Sequence, residues 1–175
     1  MHLFSGVRAR LWLAAALATG VSCTVGAGGA EGRIVPQQSI AGVELGMTPA
    51  QVRALKGAPR TTRRWTLKEP GPVRFTVYVY RRLEVSFADW SNGTSVQGVT
   101  TTSRRERTAD GLGVGTTRAR LLHTVPRLDC DAWTYRGRTT RICSAEPAGG
   151  IGIVTRYAMT AKWRVRSVSV AQIID

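Results

Sequence analysis

The sequence predicts an α+β protein of two tandem repeats, each a short helix packed on a roughly four-stranded antiparallel sheet, and three observations lead there. Gly42 to Leu55, GVELGMTPAQVRAL, returns sixty-nine residues later as Gly111 to Thr124, GLGVGTTRARLLHT, pairing Gly42 with Gly111, Gly46 with Gly115, Thr48 with Thr117 and Ala50 with Ala119 without a gap. A second match, VQGVTTTS from Val96 and VRSVSVAQ from Val165, stands at the same offset, and two anchors at one period argue for a duplicated unit. Each copy of the first anchor reads as a helix entry followed by short alternating apolar and polar runs separated by turn signals, the pattern of antiparallel strands. A helix laid on such a sheet buries the apolar face of both.

The first thirty of the 175 residues are set aside as a signal peptide. Arg8 and Arg10 form a basic start, Leu11 to Val21 an apolar run, and the small residues of VGAGGA offer cleavage after Ala27 or Ala30. The apolar run is shorter than the ~20 residues a membrane span needs. The chain is therefore expected in the cell envelope or the medium. GVSC, ending at Cys23, resembles a lipobox with Gly20 where Leu, Ile or Val is usual, so a lipid anchor at Cys23 is the alternative to free secretion. Residues 31–39, with Pro36, are expected as a flexible polar lead-in, residues 40–104 as the first repeat and 105–175 as the second.

In the first repeat Thr48 is placed as N-cap and Pro49 as the first helical residue, where a missing N–H costs nothing. Gly57 and Pro59 end the helix. Thr62 to Lys68 reads as a strand, and Pro70-Gly71-Pro72 breaks it. From Val73 to Tyr80 the apolar residues fall on odd positions. Joining Val73, Phe75, Val77 and Val79 to Leu83, Val85 and Phe87 on one face beneath the helix requires an odd-length turn or a bulge near Arg81-Arg82, because a two-residue loop would pair Tyr80 with Leu83. On that assignment Arg74, Tyr78, Tyr80 and Trp90 share the opposite, uncovered face. Asn92-Gly93 signals a hairpin into Val96 to Ser103. Val96 and Val99, three apart like Val165 and Val168, predict a β-bulge in each repeat.

The second repeat has a helix capped by Thr116 or Thr117 and stopped at Pro126. Strands follow at Asp129 to Tyr135, Arg138 to Ser144, Ile151 to Met159 and Trp163 to Ile173, with a loop at Glu146 to Gly150. Arg136-Gly137 lies midway between Cys130 and Cys143, so a two-residue turn there sets Tyr135 opposite Arg138 and Cys130 opposite Cys143. In a non-hydrogen-bonded pair of strands the Cα atoms stand about 4.5 Å apart, a distance that accepts a disulfide, and an exported chain is where one persists. The two repeats are expected to form one body, since a unit of about seventy residues has a thin core by itself.

The run LGMTPAQVRALKGAPR resembles the opening of the repeat in SmpA/OmlA (BamE-type) envelope lipoproteins, and the tandem arrangement is similar to that of β-lactamase inhibitory proteins. The resemblance runs over roughly Ile40 to Ile173, and its specific part is the Gly-x-Thr-x-x-x-Val helix entry with the strand endings. It implies recognition of a protein through a sheet surface.

Catalytic chemistry finds little to work with. His123 is the one histidine after the signal, on a helix with no carboxylate near it in sequence, and HExxH, GxSxG and Walker patterns are absent. Gly111, Gly113 and Gly115 imitate a nucleotide loop but lead into the Thr-capped helix. No catalytic residue, metal or cofactor is expected. The 25 Lys and Arg against 11 Asp and Glu give +14, which attracts anionic partners. Export argues against nucleic acid. The expected function is a non-enzymatic protein-binding or inhibitor-like module with an extracytoplasmic protein partner, bound through Arg74, Tyr78, Tyr80 and Trp90. The alternative is a basic binder of anionic envelope polymers or lipid headgroups, and a secreted hydrolase ranks last.

Overall fold

The computed structural model describes residues 33–68, 72–91, 93–145 and 152–173. The signal segment 1–30, Cys23, Asn92 and the loop Glu146 to Gly150 lie outside the described residues. The elements are β1 (Ile34–Val35), β2 (Ser39–Ile40), β3 (Val43–Glu44), α1 (Pro49–Lys56), β4 (Thr61–Leu67), β5 (Val73–Val79), β6 (Leu83–Trp90), β7 (Gly93–Thr101), α2 (Arg118–Thr124), β8 (Leu128–Tyr135), β9 (Arg138–Ala145), β10 (Ile153–Met159) and β11 (Val165–Gln172).

The expected pair of helix-on-sheet repeats is overturned. Strands β4 to β11 form one antiparallel sheet of eight, in the order β4-β5-β6-β7-β11-β10-β9-β8, and β1, β2 and β3 make a second sheet of three. The protein is mostly β, with two short helices among the described residues. The cause is a non-local pairing. The last strand of each four-strand meander, β7 and β11, meets the other with Val99 opposite Val170 and Thr101 opposite Val168, so two edges that would each need cover become the middle of a single sheet.

What recurs at the sixty-nine-residue offset is a local lock between helix entry and final strand. Thr48 caps α1, its side chain accepting from the Gln51 N–H at 3.3 Å while the Gln51 side chain accepts from the Thr48 N–H at 2.8 Å; Thr117 caps α2 through the Arg120 N–H. Just before each cap the Gly46 N–H donates to the Val96 carbonyl at 2.9 Å and the Gly115 N–H to the Val165 carbonyl at 2.7 Å. In return the Val96 N–H donates to Met47 and the Val165 N–H to Thr116. Both glycines sit at positive φ, 84° and 96°, where a side chain is strained. The two sequence anchors therefore touch each other, in the same way in each half of the chain. Each final strand also carries a bulge: Gln97 is the extra residue between the Ser86–Gly98 and Phe87–Val96 pairs, and Arg166 the extra one between Ala158–Ser167 and Met159–Val165.

One core fills the space between the large sheet and the elements over it. Val52 of α1, Leu121 of α2 and Ile34, Ile40 and Val43 of the small sheet meet Tyr78, Val85, Phe87, Val99, Tyr157, Val168 and Val170 in a continuous buried cluster. Ile34, in the stretch expected to be a flexible lead-in, is 1% exposed, and its N–H donates to the Arg107 carbonyl at 2.8 Å. From Arg33 onward that stretch belongs to the packed body. Cys130 and Cys143 face each other across β8 and β9, with Tyr135 opposite Arg138, and are joined by a disulfide with Cα atoms 4.0 Å apart. The turn residues Arg136 and Gly137 both adopt positive φ, as a two-residue hairpin whose twist matches its strands requires.

Candidate protein-binding face

Antiparallel partners standing directly opposite project to the same side of the sheet, so the register assigns every side chain to a face. β5 and β6 pair Tyr78 with Val85, Thr76 with Phe87 and Arg74 with Asp89. The Tyr80 N–H donates to the Leu83 carbonyl at 2.8 Å, so the connection is the two-residue loop Arg81-Arg82. Neither the expected odd-length turn nor a bulge interrupts the β5–β6 pairing, and the expected face is inverted.

Tyr78 and Tyr80 consequently lie on the covered side. Tyr78 is 6% exposed, edge-on to Phe87 with ring centroids 4.7 Å apart, and its hydroxyl accepts from Arg53 Nη1 of α1 at 2.8 Å. Tyr80 is half-buried and its hydroxyl donates to the Gly57 carbonyl at 3.3 Å. Burial, followed by the neighbouring Tyr78, raises the Tyr80 hydroxyl pKa, and Arg53 opposes the shift. Arg74 is exposed on the same side as the two tyrosines. Trp90 pairs with Gly93 at the end of β6. Tyr78 and Tyr80, expected on the uncovered face, are thus on the covered one.

The face that no described element covers carries different aromatics. β4 places Arg63, Trp65 and Leu67 on it, opposite Val77, Phe75 and Val73 of β5. Trp65 and Leu67 are 46% and 51% exposed, and Trp65 stacks on Phe75 with centroids 5.5 Å apart. At the far end β8 places Asp129, Asp131, Trp133 and Tyr135 on the same face, opposite Ser144, Ile142, Thr140 and Arg138, with Trp133 and Tyr135 at 50% and 68% exposure. Between these rims the face carries Glu84, Ser86 and Ala88 of β6, Gly98 and Thr100 of β7, Ser169 and Ala171 of β11 and Val154 and Arg156 of β10. A Cβ added at Gly98 would stand 2.9 Å from Ser86 Oγ and 3.3 Å from Ala171 Cβ, so the face has no room for a larger residue there.

Arg63 and Glu84 form an exposed ion pair at 2.7 Å, a contact that orients side chains and contributes little stability. Arg127, Asp129, Asp131, Trp133, Ile142, Ser144 and Arg156 surround a depression of about 480 Å³. The Asp129 carboxylate accepts from the Cys130 N–H at 2.8 Å. His123 is exposed on α2, and among the described residues no three His, Cys, Asp or Glu side chains are grouped to hold a metal ion. No described helix is long and apolar enough to cross a membrane.

No family model and no curated protein matches this chain. Among solved structures it is similar to the uncharacterized protein yfeY of Escherichia coli, at 15% identity and a TM-score of 0.47, over 79% of this chain and 99% of that one. A likeness that distant carries no argument about what either protein does.

Proposed function

We propose that the protein is an exported binding module that docks an extracytoplasmic protein on the uncovered face of its eight-stranded sheet. The observation that carries this is that Trp65 and Leu67 at one edge of the sheet and Trp133 and Tyr135 at the other, all close to half exposed or more, project to the same uncovered face. Large apolar side chains left in water favour a partner that covers them, and Trp and Tyr are the residue types that concentrate binding energy once desolvated. The SmpA/OmlA-like helix entry and the leader-like first thirty residues support the same class of function.

The test uses the exported chain as bait against envelope and medium fractions of the producing cell, with the variants Trp65→Ala and Trp133→Ala in parallel. Both positions are half exposed, so each variant is expected to fold with a stability loss of about 1 kcal/mol or less and to lose the specific captured protein. Capture of the same protein in the same yield by both variants would overturn the proposal.

A further inference from the structure

A second site lies on the other side of the molecule, and it does not depend on the sheet-face proposal. A cleft of about 770 Å³ opens between the end of α1, the β5–β6 loop and the segment that follows β7. Its walls bring together Lys56, Arg81, Arg82, Arg104 and Arg105, against the single carboxylate of Glu106. These cations come from three separate stretches of chain, so local sequence bias does not explain their convergence. Arg63–Glu84 is the one ion pair among the described residues, and none of the five cations is neutralised by a described carboxylate. The Thr101 hydroxyl oxygen lies 3.4 Å from Glu106 Oε2.

The walls are held in place by backbone bonds. The Arg82 carbonyl accepts from both the Thr102 N–H at 2.9 Å and the Thr101 hydroxyl at 3.1 Å. The Thr101 oxygen also accepts from the Ser103 N–H, and Ser103 Oγ accepts from the Arg105 N–H, both at 3.1 Å. Ala41, Leu83 and Ser103 are buried beneath. Two Arg-Arg pairs are therefore fixed across one opening, 81–82 on the hairpin and 104–105 on the linker. Like charges gathered over a low-dielectric floor repel one another and focus a positive potential into the gap, and each guanidinium presents a fork that fits phosphate oxygens in pairs.

We infer that this cleft binds an anion carrying several phosphate groups in series, an oligophosphate chain. A single phosphate is too small to engage cations contributed by three segments around such a volume, whereas charges spaced along a chain can meet them in turn. Serial phosphates occur free in solution and phosphate groups also stand on lipid surfaces; the recessed position favours the soluble chain.

Isothermal titration of the exported protein with sodium tripolyphosphate tests the inference. Saturable one-to-one binding is expected, weakening as salt is raised and falling at least tenfold in Arg81→Ser/Arg82→Ser and in Arg104→Ser/Arg105→Ser. The charge-matched control Arg74→Ser/Arg138→Ser, which removes two exposed arginines elsewhere, is expected to leave affinity within about twofold. All six substitutions replace solvated side chains, and an unchanged melting curve confirms that the variants fold. An equal loss in the control, no saturable binding, or binding to phosphatidylglycerol vesicles that tripolyphosphate does not displace would each overturn the inference.

Discussion

Replacing Tyr78 separates a buried tyrosine from an exposed binding residue. Its ring is 6% exposed and packs edge-on against Phe87, so Tyr78→Ala removes a buried aromatic from the centre of the core. Truncations of that kind cost about 3–5 kcal/mol, of which the aromatic pair contributes roughly 0.5–1.5 kcal/mol. Tyr78→Phe keeps the ring and loses only the hydroxyl that accepts from Arg53 at 2.8 Å. Arg53 is itself exposed, so its guanidinium returns to water and is not left unpaired; the expected cost is about 1 kcal/mol. Equilibrium urea unfolding of the two variants beside the parent protein measures both values. A Tyr78→Ala variant within about 0.5 kcal/mol of the parent, the range of a surface change, would refute the covered-face assignment and the two-residue loop on which it rests.

Two further outcomes follow from the structure. The Cys130–Cys143 disulfide closes a loop of sequence separation 13; substituting both cysteines by Ala is expected to lower stability by about 3 kcal/mol, read from the shift in denaturation midpoint, and two free thiols in protein purified without reductant would contradict the bond. Burial, and secondarily the charge of Asp110, raises the Tyr157 pKa above its ordinary value of 10.0. Below about pH 10 both folded and unfolded states keep this proton, and above it the unfolded state loses the proton first, so stability should be flat up to there and fall as pH rises through the folded value. Denaturation curves from about pH 8 to about pH 11 check the sign, with Tyr157→Phe expected to flatten the alkaline part of the profile.

The features legible in the sequence were those whose causes are local. The caps at Thr48 and Thr117, the bulges that produce the Val96/Val99 and Val165/Val168 spacing, and the opposition of Cys130 to Cys143 about Arg136-Gly137 each depend on a few neighbouring residues. The joining of β7 to β11 was not legible, because a strand's alternation says that it has two faces and nothing about which distant edge it meets. The binding face failed for a related reason. β5 carries Val73, Phe75, Val77 and Val79 on one side and Arg74, Thr76 and Tyr78 on the other, so alternation pointed the valine side inward, whereas the register buries Tyr78. Arg81-Arg82 has no Gly, Asn or Asp to announce a tight hairpin, and an error of one residue in that loop turns the entire strand over. Trp65 and Trp133 carried a signal of their own: each sits among polar or charged residues in an alternating run, as edge strands β4 and β8 do.

The place of β11 in the sheet has a consequence for the order in which the molecule can assemble. Among the described residues it is the last strand in chain order, yet it lies between β7 and β10, where a neighbour on each side depends on it. A chain emerging from its N-terminal end can form the β4–β7 meander early, but β7 then waits with an unpaired edge while the whole second meander is made. Closing the sheet joins segments some seventy residues apart, and contacts between distant segments slow the search for the folded state. The completing step therefore waits for β11 to pair, and until it occurs the exposed edge of β7 is a template for pairing with another chain.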